Sequence, residues 1–349
     1  MFPNLGYLLR WLTGWNLSLP IPTFGFFMAL SFWAAYAVFT LELRRKLSLP
    51  PSIPRSVPNG RVTIASAAIP PDAHIASLMD RPAIPSDTHI APLMDRPAIP
   101  SDIRIGPLID RLLIFCGLIG FAGALLLAKL EDTVGLVHHP GRWLTRYHGL
   151  TYFGGLLFGA VTYLAMMRRR GIPLAIAADI GSPGMMLAYA VGRMGCHLAG
   201  DGDWGIVSAS PSPAWLSWAP NWVWAAHYPH NVIRQGVYIP GCRVDYCSVL
   251  PEGVFPTSFY ESVVCLALFF VLWALRRRLT VPGSLFLIYA LFTGLERFLV
   301  EFIRITPKHV FLGFALSQAQ WISLGFIGIG IAGTGYILTL SVKKAYFYP

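Results

Sequence analysis

The stretch "GLERFLVEFIR", residues 294–304, decides how the rest of the chain is read. Four of its eleven residues are charged, namely Glu296, Arg297, Glu301 and Arg304. The run before it, "PGSLFLIYALFT", is almost wholly apolar. Arg297, Glu301 and Arg304 follow one another at i, i+4 and i+7, so a helix carries all three on one face. An arginine at mid-membrane costs about 2.5–3.5 kcal/mol on the insertion scale, and less at a helix end, where it snorkels. Taken alone, the stretch supports two readings: an ion-pair cluster that anchors a helix at the membrane interface, or a functional site.

The composition makes a membrane the right frame. Of 349 residues, 55% are hydrophobic and 13% charged, with a mean hydropathy of +0.56. Soluble domains carry about 25% charged residues. The net charge of +10 belongs in cytoplasmic loops facing anionic lipid heads. No RNA- or DNA-binding motif accompanies it, so nucleic acid is not expected as a partner. The first apolar run, from about Ile21, is too long for a signal-peptide core and is followed by "LRRKL" in place of a small-residue cleavage site.

Seven runs of about 18–23 residues are candidate spans, roughly 22–42, 112–130, 150–167, 173–193, 258–275, 283–300 and 321–341. Basic clusters follow every odd-numbered one: 44–46, 168–170, 276–278 and 343–344. The positive-inside rule makes that side cytoplasmic. The expected fold is an all-α, polytopic membrane protein of seven transmembrane helices, amino terminus outside and carboxyl terminus cytoplasmic. Residues 1–46 hold an interfacial helix, with Tyr7, Trp11 and Trp15 at helical spacing, and the first span. Residues 112–349 hold the six-helix core and an outer loop, 200–257. Residues 47–111 form a proline-rich cytoplasmic linker with three copies of a 15-residue repeat ("AIPPDAHIASLMDRP", "AIPSDTHIAPLMDRP", "AIPSDIRIGPLIDR"). Repeats this short, broken by prolines, read as a disordered linker rather than a solenoid, which leaves His74 and His89 solvated. The outer loop carries Trp204, Trp215, Trp218, Trp222 and Trp224, as suits a cap at the membrane surface, and a pair, Cys242 and Cys247, that can bond in an oxidising compartment. Cys116 and Cys265 lie in spans, as small apolar residues do.

Polarity concentrates at the outer helix ends. "GRMGCHLAGDGDWG", 192–205, puts Arg193 and His197 at i, i+4, followed by Asp201 and Asp203. Gly192, Gly195, Gly200, Gly202 and Gly205 allow the backbone close to a ligand. "FPTSFYESVV", 255–264, places Tyr260 and Glu261 in the first turn of the fifth span, where capping by the helix dipole is an alternative for Glu261. "HGLTYFGGLLFG", 148–159, offers glycines for close helix packing or for substrate access. Asp179, inside the fourth span, is expected to pair structurally. Arginines from two helices can converge on one anion, their planar forks matching phosphate oxygens. At that depth the available anions are phospholipid head groups.

In this order the segments resemble the prolipoprotein diacylglyceryl transferase family over roughly 110–341 and "IPTFGFFMAL" in the first span. The resemblance rests on Gly192, Arg193 and Gly195 before "AGDGDWG", on Pro256, Thr257, Tyr260 and Glu261, on Arg297, Phe298, Glu301 and Arg304, and on Gln320. Phe153, before Gly154 and Gly155, stands where the family usually has a histidine thought important for catalysis. Cys196 replaces an asparagine, Phe24 a tyrosine, and Phe255 a histidine. The resemblance implies a seven-helix protein of the bacterial inner membrane. It would move a diacylglyceryl group from phosphatidylglycerol to the lipobox cysteine thiol of a preprolipoprotein, with glycerol 1-phosphate leaving and with neither cofactor nor metal.

That chemistry needs charge stabilised on the leaving phosphate and a thiol, of ordinary pKa near 8.5, that loses its proton. Arg193 and Arg297 are assigned to the phosphate, with Glu301 orienting an arginine and Arg304 completing the network. His197 is the first candidate for the base, followed by His148 and Asp203. A hydrogen bond in a polar helix end explains His197 equally well. Gly154, Gly155, Gly192, Gly195, Asp203, Tyr260, Glu261 and Gln320 complete the expected substrate site. The adjacent His138 and His139, a lone pair without further ligands, are weak evidence for zinc. Two alternatives remain open: a family member that has lost transfer and binds phospholipid or lipoprotein, and a transporter, for which neither the internal repeat of spans nor the midplane site is present.

Overall fold

The computed structural model describes residues 1–15, 19–47, 105–131, 151–242, 245–311 and 313–347. His138, His139, His148 and most of the repeats, with His74 and His89, fall outside them. Eight helices are described: α1 (Leu5–Thr13), α2 (Thr23–Leu47), α3 (Ile105–Glu131), α4 (Tyr152–Arg169), α5 (Leu174–Ala199), α6 (Thr257–Leu275), α7 (Ser284–Val300) and α8 (Gln318–Phe347). A long helix covers every expected span. Five of them, α2, α3, α5, α6 and α8, are long and apolar enough to cross a membrane. The other two are shorter, 18 residues for α4 and 17 for α7. This is the build of a polytopic membrane protein.

Several boundaries move outward from those expected, and three of the shifts have a local cause. Helix α3 starts at Ile105, inside the third repeat copy, because Leu108, Ile109 and Leu112 pack with Leu43, Met167 and Ile176. Asp110 and Arg111 face away from that core. Helix α5 continues past Arg193 because Cys196, His197 and Ala199 are buried, and it stops at Gly200, whose φ of 67° closes the end. Helix α8 begins at Gln318, where Ser317 and Gln320 form a capping box: the Gln320 N–H donates to Ser317 Oγ at 3.2 Å, and Gln320 Oε1 accepts from the Ser317 N–H at 3.0 Å.

The fold is not purely α. Two small antiparallel ladders join it, β1 (Val237–Tyr238) with β2 (Ser248–Val249), and β3 (Lys308–Phe311) with β4 (Phe314–Ser317). The first belongs to the loop 200–257, which folds as a cap with its own core of Trp204, Ala226, Tyr228, Leu250 and Val254. Asn231, fully buried, ties that cap together. Its amide donates to the carbonyls of Tyr228, Gln235 and Ser248, and its oxygen accepts from the Gln235 N–H. Cys242 and Cys247 are bonded. Trp215 and Trp218 remain exposed.

The helices pair as α2 with α5, α3 with α4, α7 with α8, and α5 with α6. Lipid is as apolar as leucine, so helices gain by approaching closely through small residues. A Cβ on Gly154 would lie 2.4 Å from the Gly123 carbonyl oxygen, one on Gly195 2.5 Å from Phe27 Cβ, and one on Gly294 2.8 Å from the Ser323 carbonyl oxygen. Gly154 and Gly155 therefore serve the α3–α4 contact, and Gly192 and Gly195 face Met28 and Phe27 of α2.

Asp179 pairs structurally, as expected. Its carboxylate accepts from the N–H groups of Gly283 at 2.8 Å and Phe286 at 2.9 Å, capping α7 from α5. Asp179→Ala leaves both donors unpaired and should cost about 1–2 kcal/mol. Thermal unfolding of the purified protein measures it, and Asp179→Asn should recover part of the loss.

Candidate active site

Glu261 is the centre of the polar cluster. It lies in the second turn of α6, so the first turn holds no acid and the dipole does not explain it. Its side chain has no solvent exposure. Three guanidiniums reach it: Arg193 of α5 through Nε, Arg297 of α7 at 3.3 Å, and Arg304, just beyond α7, at 3.0 Å. The Tyr189 hydroxyl, one turn before Arg193, donates to the same carboxylate at 3.0 Å.

A second carboxylate spans two of these cations. Asp203 accepts from Arg193 through one oxygen and from Arg304, at 2.7 Å, through the other. Its backbone carbonyl accepts from the hydroxyls of Thr257 at 2.8 Å and Ser258 at 2.6 Å, which fixes the loop after α5 onto the start of α6. Glu301 lies 3.1 Å from Arg297 and 3.9 Å from Arg304. Three guanidiniums thus face three carboxylates. Arg297 is the most open of the cations, with 25% of its side chain exposed.

The cap helps hold Arg304. Gly205 bridges to Arg304, and the Ile206 N–H donates to the Ile303 carbonyl at 2.8 Å. A Cβ on Gly205 would meet that carbonyl oxygen at 2.4 Å, so glycine is required for the two backbones to approach.

Charge orders the acids outside the helices. Burial works to raise the Asp203 carboxyl, but Arg193 and Arg304 outweigh it and hold it below the usual carboxylate range. Burial, with Asp203 close by, pushes the Asp201 carboxyl up. The ligand atoms of Cys196, Asp201 and Asp203 lie within 4.8 Å of one another. Asp203 already spends both oxygens on arginines, so the trio is not a free chelate.

Of the residues singled out in the sequence, Arg193, Arg297, Arg304, Asp203, Glu261 and Glu301 come together. Others are engaged elsewhere. His197 is buried, with Nδ1 3.1 Å from the Tyr228 hydroxyl and its ring against Trp222 and Phe259. The Tyr260 hydroxyl donates to the Val223 carbonyl in the cap. Gln320 caps α8, and the four glycines pack helices. Tyr189 and Ser258, which donates to Asp203 and lies 3.3 Å from Arg193 Nη2, were missed. The i, i+4 spacing of Tyr189 and Arg193 is a signal that could have found the first.

Comparison with known proteins identifies a family. The family profile described as prolipoprotein diacylglyceryl transferase matches residues 100–336. Among relatives named phosphatidylglycerol–prolipoprotein diacylglyceryl transferase, the one from Streptococcus sanguinis (strain SK36) is 31% identical over 208 residues, 59% of this chain and 67% of that protein. The one from Clostridium novyi (strain NT) is 31% identical over 186 residues, 53% of this chain and 62% of that protein. A protein of Streptomyces coelicolor, named as the second such transferase, is 31% identical over 182 residues, 52% of this chain and 49% of its own length. The matches thus span about half to two thirds of these relatives. With the profile covering more than half of its length, and its charged residues gathered at the ends of apolar helices, the chain belongs to the prolipoprotein diacylglyceryl transferase family.

Proposed function

We propose that this chain transfers a diacylglyceryl group from phosphatidylglycerol to the lipobox cysteine of a preprolipoprotein, at the outer face of a bacterial inner membrane. The reading takes all seven long helices as spans, with the amino terminus outside and the carboxyl terminus cytoplasmic. The observation that carries it is the convergence of Arg193 and Arg297, from different helices, on the one carboxylate of Glu261.

In the proposed reaction the thiolate sulfur bonds to the glyceryl carbon and the bond from that carbon to the phosphate oxygen breaks. The electron pair leaves with glycerol 1-phosphate, and the thiol proton passes to a base. Arg297, the most exposed guanidinium, meets the phosphate first. Arg193, stacked near Tyr189 and held by two carboxylates, supplies a fixed second fork. Preorganised cations in a site of low dielectric stabilise developing negative charge without reorganising. Glu301 and Glu261 keep both forks oriented, and Arg304 links them to Asp203. Gly154, Gly155, Gly192 and Gly195 support this site by setting helix distances, and Gln320 by starting α8. Tyr260 anchors the cap beside it.

Asp203 is a poor base, because the two arginines that hold it also favour its ionised form. His197 takes the proton in this reading. Its orientation by Tyr228 supports the role. The second reading, a family member that binds lipid without transfer, draws on Phe153 at the usual histidine position and on Cys196, whose sulfur lies 3.6 Å from Arg193 Nη1.

Expression in a strain depleted of its own transferase separates the two. The unaltered chain should restore lipoprotein modification. Arg193→Lys and Arg297→Lys, inserted at equal levels, should each lower transfer at least about 100-fold, as loss of a preorganised donor does. An inserted but inactive unaltered chain supports the second reading.

For His197→Gln, a rate reduced with loss of the ascending limb of the pH–rate profile fits a base. An unchanged profile with a lowered melting temperature leaves His197 a structural role only.

Asp203 gives a stability prediction with a definite sign. Its folded pKa is depressed, so the unfolded chain binds more protons in the window between the two values. The contribution is complete above the unfolded value of about 4 and disappears as pH falls through the lower folded one. Melting temperature should therefore drop below about pH 4, and Asp203→Asn should reduce both the neutral-pH stability and that acid slope.

A further inference from the structure

A second cluster of charge lies at the other end of α6. Arg276 follows the last helical residue, fifteen residues from Glu261, or about 22 Å along a helix axis. It is nine-tenths buried. Its Nε donates to Glu42 of α2 at 3.1 Å, its Nη1 donates to the Trp273 carbonyl, and its guanidinium lies 3.2 Å from the centre of the Trp273 ring. Arg45 also pairs with Glu42 and donates to the Arg276 carbonyl at 3.1 Å. Glu42 is fully buried.

Among the described residues, this cluster holds more cations than anions. Glu42 is one anion, whereas Arg45, Arg276 and Arg277 are three cations near each other. Burial, and then Arg277 and Arg45 acting against Glu42, draw the Arg276 guanidinium below its ordinary range. Among the described residues, Arg276 Nη2 has no hydrogen-bond partner, and Arg277 makes no ion pair. Both residues line a shallow cleft of about 380 Å³, together with Trp273 and Ala274.

The cleft opens onto an apolar track. Val263, Ala267, Phe270 and Ala274 follow at helical spacing along α6, and all four are exposed. Cationic groups at the end of an exposed apolar stripe match the two halves of a phospholipid, a charged head and an acyl chain. Basic pockets at the ends of membrane helices take anionic head groups by the same means.

We propose that the cleft formed by Trp273, Ala274, Arg276 and Arg277 is a second lipid site, which holds the phosphate of an anionic phospholipid whose acyl chain lies along the exposed stripe of α6. Arg277 and Arg276 Nη2 hold the phosphate, and Trp273 fixes the plane of the Arg276 fork. The site is separate from the Glu261 cluster and binds lipid without reacting with it. The topology proposed above puts it at the cytoplasmic leaflet.

The test uses the full chain in detergent, titrated with dioctanoyl phosphatidylserine, dioctanoyl phosphatidylcholine or sn-glycerol 3-phosphate. Phosphatidylserine should bind in preference to phosphatidylcholine. Arg277→Gln should weaken phosphatidylserine about fivefold, the attraction of one basic residue near an anionic head, both in the unaltered background and in Arg297→Gln, which disables the other end. Glycerol 3-phosphate, which lacks the chains, should not compete. Equal affinity for the two lipids, unchanged affinity in Arg277→Gln, or displacement of phosphatidylserine by glycerol 3-phosphate would each overturn the proposal.

Discussion

One buried carboxylate organises one end of this helix bundle. Glu261 has no exposure of its own, and it is tolerated there only because guanidiniums from three points of the chain surround it. An isolated carboxylate at that depth would cost many kcal/mol. Conversely, Glu261 is the one carboxylate that meets all three arginines, whereas Asp203 meets Arg193 and Arg304 and Glu301 meets Arg297 and Arg304. Breaking a buried pair of this kind costs about 3–5 kcal/mol, so the cluster ties α5, α6 and α7 together at one end.

The glycine contacts make that arrangement possible. Helix α5 sits against α2, α6 and α7, and Gly195 lets it approach Phe27 in the turn after Arg193. A bulkier residue there would push α5 outward and move the Arg193 guanidinium with it. Asp179 plays the matching part lower on the same helix, by holding the start of α7. The position of each arginine is thus set by contacts on another face of its own helix, or, for Arg304, by the cap backbone at Gly205 and Ile206.

Much of this was legible in the sequence because its signals are local. Apolar runs of spanning length located every long helix, and the i, i+4, i+7 spacing put Arg297, Glu301 and Arg304 on one face. The boundaries were less legible, since α3 and α5 are prolonged by tertiary burial of Leu108 and His197, which leaves no mark on hydropathy. The partners of the charges were least legible of all. Nothing near Glu42 announces Arg276, more than two hundred residues away, whereas the spacing of Ser317 and Gln320 before an apolar run is a local signature of a capping box that the substrate reading of Gln320 passed over. The glycines of 192–205 and 154–155 were ambiguous for the same reason, because close approach looks alike in sequence whether the neighbour is a ligand or a helix.

In the proposed reaction, the carboxylates already paired with Arg193, Arg297 and Arg304 govern how tightly a phosphate is kept. A bare triad of arginines would trap phosphate and release it slowly. Here each fork already has a resident carboxylate, so in the proposed reaction a phosphate would exchange with an internal anion and gain only the difference. Retention is modest by construction, and a product more highly charged than its precursor crowds the carboxylates that remain. Such a cage favours turnover over storage.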